Sequence, residues 1–171
     1  PKKIDNHGKP TLIIDDAGYL HVFYGGHGGT PEIGPNPLGN HHYGRNKHAV
    51  TKAPKDITAW EDLDNISPFG NYNQALKMDN GDLYLFYRHG AHRSDWVYQK
   101  STDNGRTFAA PVSFLKHQER DDLPADDSWY PWIGHGEGDD LIVSYDYHLC
   151  WNYDAPGRDG LGHAPDRYDG V

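Results

Sequence analysis

Three stretches of the 171-residue chain follow one pattern, and that repeat limits the possible folds more than any other feature of the sequence. They are DDAGYLHVFYGGH from Asp15, MDNGDLYLFYRHG from Met78 and GEGDDLIVSYDYH from Gly136. Each is a Gly/Asp turn that opens into an alternating strand ending in an aromatic, the pattern of the returning strand of a hairpin. The turn glycines Gly18, Gly81 and Gly138 are spaced by 63 and 57 residues. That is too far for a hairpin alone and right for a four-stranded sheet with its loops. An all-β chain is expected, with successive sheets arranged as blades of a β-propeller. Blade-like repeats fall near 1–66, 67–120 and 121–171, and the whole of 1–171 reads as a partial propeller domain. The 20 glycines and 12 prolines, with only 36% hydrophobic residues, suit short strands and turns better than helices. About three blades do not close a ring, so the sequence reads as a fragment of a larger propeller.

Charge and composition remove several function classes. A formal charge of -9 leaves no broad basic surface for a nucleic-acid backbone, so an anionic ligand must be held by a few local cations. No apolar run reaches the roughly 18 residues of a membrane span. The opening PKKIDNHGKP lacks the apolar core of a signal peptide. A single cysteine, Cys150, excludes an internal disulfide framework.

Behind the second repeat stands WVYQKSTDNGRTF, where Ser101, Asp103, Gly105, Thr107 and Phe108 resemble the Asp-box (BNR repeat) pattern S-x-D-x-G-x-T-[W/F]. In such a turn the Asp carboxylate caps backbone N–H groups and the aromatic packs between strands, which is a structural role. VTKAPKDITAWEDL, with Trp60, is a degenerate copy, and GHAPDRYDGV resembles the start of a third.

The hairpins also pair reactive side chains. Tyr72 lies eight residues before the turn residue Asn80 and Arg88 eight after it, so both come to the open end of one hairpin. His7 and His27 are each ten residues from Ala17, the turn of the preceding hairpin. Neighbouring blades then present His7, His27, Tyr72 and Arg88 on one face. Imidazole exchanges a proton near neutral pH, a phenol does so beside a cation, and a guanidinium pairs bidentately with a carboxylate. An acid, a base and a fixed cation fit abstraction of the proton next to a carboxylate, as at C5 of a uronic acid, with elimination across C4 and C5. Taken singly, a tyrosine at a strand start is more often packing and an arginine at a strand end more often a solvated rim; the two pairs together carry the case.

The order His, His, Tyr, Arg, with steps of 20, 45 and 16 residues within BNR-like repeats, resembles the propeller ulvan lyases of polysaccharide lyase families 24 and 25, family 25 more than 24. The resemblance implies a seven-bladed propeller that cleaves ulvan, an anionic sulfated polysaccharide, between 3-sulfated rhamnose and glucuronic or iduronic acid by β-elimination. It implies a His and a Tyr as base and acid, which carries over to His7 or His27 with Tyr72, and an Arg that neutralises the carboxylate, which carries over to Arg88. It also implies a secreted, periplasmic or extracellular enzyme whose export signal lies outside these residues. Neither nucleic acid nor membrane is expected as a partner.

Other residues take supporting roles. Asn71 and Asn73 flank Tyr72 and, with Arg93, Tyr130 and Trp132, are expected to bind substrate, the aromatics by stacking on sugar faces. Arg45, Lys47 and His48 are candidates to meet sulfate groups. His148, Cys150 and His163, joined by His89 or His92, form a set of borderline ligands for a structural Zn²⁺, against the plainer reading of a buried thiol with surface histidines. No cofactor is expected for catalysis. Two other classes compete. An Asp-box glycoside hydrolase of sialidase type needs an arginine cluster, which Arg88 lacks, and a non-catalytic glycan-binding propeller needs no His/Tyr/Arg set.

Overall fold

The computed structural model describes residues 8–28, 31–39, 44–118, 121, 128–149 and 167–170. Among these described residues there are eleven strands, and the one helical piece is a 3₁₀ turn, Pro31–Ile33. They form three antiparallel sheets in simple up-and-down order. The first holds β1 (Thr11–Ile14), β2 (Leu20–Tyr24), β3 (Lys47–Ala53) and β4 (Asp56–Leu63). The second holds β5 (Asn71–Lys77), β6 (Leu83–Arg88), β7 (Trp96–Ser101) and β8 (Val112–Leu115). The third holds β9 (Ser128–His135), β10 (Leu141–Leu149) and β11 (Arg167–Gly170).

The repeated Gly/Asp turns explain the repeated hairpins. In the first, the Asp15 amide donates to Tyr19 O, the Gly18 amide donates to Asp15 O, and Gly18 takes φ 87°. Met78, Asp82 and Gly81 reproduce the arrangement, and Gly81 also has φ 87°, a conformation in which a side chain is strained. The alternating strands around these turns predict hairpins at about 10–25 and 73–88, and both are present as β1–β2 and β5–β6. A third hairpin, expected over 140–166, is met by β10 pairing antiparallel with β11, Leu149 facing Arg167, with residues 150–166 outside the described residues, and the turn at Gly136–Asp140 joins β10 back to β9 as well.

The first two sheets share one core. Phe23 from the first sheet packs with Leu85, Tyr87 and Val97 of the second and with Ile66 of the connecting segment. The turn after β7 closes this seam. Asp103 accepts from the Thr107 amide at 2.9 Å and from its hydroxyl at 2.6 Å, while Ser101 Oγ accepts from the Gly105 amide at 2.9 Å. Desolvation raises the Asp103 carboxyl, but these bonds from Thr107 and Ser101 outweigh it and hold the group below its ordinary value. The turn thereby aims Phe108 across the seam, edge-on to Phe23 and His48 at 5.8 Å each.

First strands line up from sheet to sheet, β1 and β2 against β5 and β5 against β9. Gln74 on β5 ties the second pair with both ends of its amide, donating to Pro131 O at 2.9 Å and accepting from the Ile133 amide at 3.0 Å. The hairpin turns gather at one end of the sheets, where Lys77 meets Asp16 and the Asn80 amide donates to Asp139. Their open ends meet at the opposite end, and the reactive side chains lie there.

Candidate active site

Tyr72 owes its position to an irregularity. Asn71 pairs with Arg88 but Gln74 pairs with Phe86, so β5 carries one residue more than β6 at this point, and Tyr72 sits in the bulge with φ 60°. A bulge re-aims a side chain out of the normal alternation, and a left-handed non-glycine residue costs on the order of 1 kcal/mol or more. Here the phenol is turned beneath the guanidinium of Arg88, whose Cζ stands 4.8 Å from the ring centroid. Trp96, opposite Arg88 on β7, stacks behind the phenol at 6.3 Å, Tyr130 meets it edge-on at 5.4 Å and His27 edge-on at 6.1 Å.

Arg88 is fully buried. Its Nε donates to Gly90 O at 3.3 Å and its Nη1 to the Tyr130 hydroxyl at 2.9 Å. Nη2 has no hydrogen-bond partner, and no carboxylate pairs with the group among the described residues. A buried cation without a counter-charge is costly and leaves the pocket strongly attractive to an anion. Asn71, also buried, donates to Gly90 O at 2.8 Å, so it fixes the same carbonyl that receives Arg88 Nε. Asn73 donates to Asn46 Oδ1 at 2.7 Å, across to the first sheet.

Of the four residues assigned to catalysis from the sequence, Tyr72, Arg88 and His27 converge; His7 lies outside the described residues. Of those assigned to substrate binding, Asn71 and Asn73 flank the phenol, and Tyr130 grips the guanidinium. Trp132 is 71% exposed on β9, and Arg93 lies half-buried in the loop between β6 and β7. Sequence reasoning missed Trp96 and Asn46. Trp96 was legible as the first residue of a strand opposite Arg88; nothing in the sequence marks Asn46.

Two histidines do not fit the roles suggested for them. His48 is buried: its Nδ1 meets Asn65 Oδ1 at 2.8 Å and its Nε2 meets His21 Nδ1 at 2.9 Å. Burial pushes it down to about 4, so it stays neutral and offers no charge to a sulfate. His89 is buried too, with Nδ1 2.6 Å from Asn36 Oδ1 and Nε2 2.9 Å from Ser67 Oγ. With both nitrogens engaged, the ring ties loops together and is not placed to ligate a metal. The ring of His92, the other histidine considered, lies 6.1 Å from that of His148, which itself packs on Tyr130 at 4.8 Å. Cys150 and His163 lie outside the described residues, and among the described residues no group of three potential ligands forms.

No protein-family model matches the chain. It is 71% identical over 168 residues to an ulvan lyase of Alteromonas sp. (strain LOR) and 61% identical over 168 residues to an ulvan lyase of Nonlabens ulvanivorans. Each match takes in 98% of this chain but only 34% and 35% of those proteins, so the chain spans about a third of the length of its relatives. A solved structure of a family-25 polysaccharide lyase, an ulvan lyase bound to glucuronic acid linked to 3-sulfated rhamnose, superimposes with a TM-score of 0.85 at 70% identity, over 96% of this chain and 37% of that one.

Proposed function

We propose that the chain is part of a polysaccharide lyase of family 25 that cleaves ulvan by β-elimination, between 3-sulfated rhamnose and glucuronic or iduronic acid. The observation that carries this reading is the buried, uncompensated guanidinium of Arg88 lying against the phenol of Tyr72. A uronyl carboxylate supplies the missing counter-charge, and pairing with Nη2 sets C5 beside the phenol and His27. The base removes the C5 proton. The electron pair enters the carboxylate, where Arg88 stabilises the enolate-like charge more than it stabilises the ground state. As the C4–C5 double bond forms, the C4–O bond breaks and the leaving oxygen takes a proton from the acid. Tyr72 and one of His7 and His27 serve as acid and base, and the other imidazole helps hold the carboxylate.

The three sheets act as successive blades of a propeller, supported by the aligned first strands, the 63- and 57-residue spacing and the Asp-box-like turn that seats Phe108. A structural Zn²⁺ would be held by His148, Cys150 and His163 with His92 as the fourth ligand, and would supply no step of the reaction. The enzyme acts outside the cytoplasm, where its polymeric substrate is found. Ulvan incubated with the full-length protein is expected to gain the ultraviolet absorbance of a conjugated uronyl double bond. New reducing ends without that absorbance mean hydrolysis and refute elimination.

A further inference from the structure

The seam between the first two sheets holds a chain of polar groups that the reaction does not use. Asp15 opens the turn of the first hairpin, His21 lies on β2, His48 on β3, and Asn65 follows β4. Asp15, His21 and His48 are all buried. Asp15 Oδ2 stands 3.4 Å from His21 Nε2, His21 Nδ1 stands 2.9 Å from His48 Nε2, and His48 Nδ1 stands 2.8 Å from Asn65 Oδ1. Both ends of the chain are acceptors. Asn65 Nδ2 donates to Gly105 O at 3.0 Å and to Arg106 O at 2.9 Å, so this amide cannot be turned over and Oδ1 must face His48. At the other end the Tyr19 amide donates to Asp15 Oδ1 at 2.8 Å, which leaves Oδ2 to His21.

Proton counting then fixes the state of the rings. Three contacts strung between two acceptors need three protons, and two neutral imidazoles carry only two. The deficit falls on the 3.4 Å contact, because bare acceptors facing each other at 2.8 or 2.9 Å would repel. His48 therefore carries its proton on Nδ1, toward Asn65, and His21 carries its own on Nδ1, toward His48. His21 Nε2 is left bare against the Asp15 carboxylate. Desolvation lowers the proton affinity of His21 below its ordinary value, and Asp15 opposes this through its contact and its charge. Arg106, in the turn after β7, is the further charge that bears on both rings, and it adds to the lowering. The backbone of the same turn rests on His21, since a Cβ at Gly105 would lie 2.7 Å from its Cε1.

We infer that this chain is a one-proton latch across the seam: it is one proton short at neutral pH, and on acidification it takes up a single proton between His21 Nε2 and Asp15 Oδ2 before His48 is protonated. Closing the latch ties the first hairpin turn, through two rings and Asn65, to the turn that follows β7 in the second sheet. β2 runs on from His21 toward His27, so the latch governs how firmly the strand leading to His27 is held against the sheet that carries Tyr72 and Arg88. The inference stands apart from the lyase reading.

Nuclear magnetic resonance of the full-length protein with ¹⁵N-labelled histidine, followed from pH 7 to pH 4 and assigned through His21→Gln and His48→Gln, tests it. At pH 7 both rings are expected to hold the proton on Nδ1 with Nε2 bare. As the pH falls, His21 Nε2 should gain its proton before His48 Nε2 does. Asp15→Asn supplies the third proton permanently, because its amide Nδ2–H donates to the bare nitrogen while Oδ1 still accepts from Tyr19. The His21 midpoint should then fall by about one pH unit or more, a loss of about tenfold in proton affinity. A His48 proton found on Nε2, protonation of both rings together, or a His21 midpoint unchanged in Asp15→Asn overturns the latch. Should Asp15→Asn fail to fold, the tautomers and the order of protonation in the wild type decide alone.

Discussion

Lowering the pH from 7 to 4 should destabilise the protein through His89, whose imidazole takes up its proton in the unfolded chain first. Asn36 Nδ2 donates to the His89 carbonyl, which turns Asn36 Oδ1 toward Nδ1 and fixes the ring proton there; Nε2 is left to accept from Ser67. Burial holds this imidazole neutral down to about 4, against 6.5 when unfolded. Between those values the unfolded chain binds a proton that the folded protein refuses, so stability falls as pH falls through this window and is intact above 6.5. At about 1.4 kcal/mol per tenfold, the gap from 6.5 to about 4 is worth about 3 kcal/mol at pH 4. His48, also pushed to about 4, adds a similar loss, so a variant is needed to isolate His89. His89→Gln keeps an amide in place of the ring and cannot titrate. Urea unfolding of both proteins at pH 7 and pH 4 should show the wild type losing about 3 kcal/mol more than the variant over that interval. An equal loss in both would refute the assignment of His89 as a buried neutral tie.

Tyr72→Phe keeps the stack on Trp96 and removes the hydroxyl, so kcat in steady-state elimination assays should fall by roughly 10² or more with little change in KM; near wild-type turnover would make the phenol a packing group. Phe108→Ala empties the seam between the first two sheets and should cost about 2–4 kcal/mol in chemical denaturation. Asp103→Ala frees the Thr107 amide and hydroxyl and should cost about 1–2 kcal/mol by the same measure, with no direct effect on KM.

The legibility of the sequence follows the range of the interaction. Gly18 and Gly81 sit in turns that only glycine fills comfortably, and hairpin register then follows by counting, which is why Tyr72 and Arg88 could be brought together from the sequence. The same counting could not foresee the extra residue in β5 that rotates the phenol under the guanidinium, because a bulge is set by its partner strand. His89, like His92, was expected as a fourth ligand beside His148, Cys150 and His163. Its partners, Asn36 and Ser67, come from loops 53 and 22 residues away, and no local pattern records them. Asn46 was invisible for the same reason: its meaning lies in an amide contact with another sheet.

The central claim is that Arg88 neutralises the uronyl carboxylate as the C5 proton leaves. It is tested most directly by comparing wild type and Arg88→Gln on native ulvan and on ulvan whose uronic acids are methyl-esterified, which removes the charge chemically. On the native polymer the substitution should lower kcat/KM by roughly 10²–10³, and on the ester by clearly less, since the standing carboxylate charge is gone and only the enolate charge of the transition state remains to be stabilised. The same loss on both polymers would contradict the account, because the guanidinium would then be supporting the fold of the site rather than the charge that develops on the substrate.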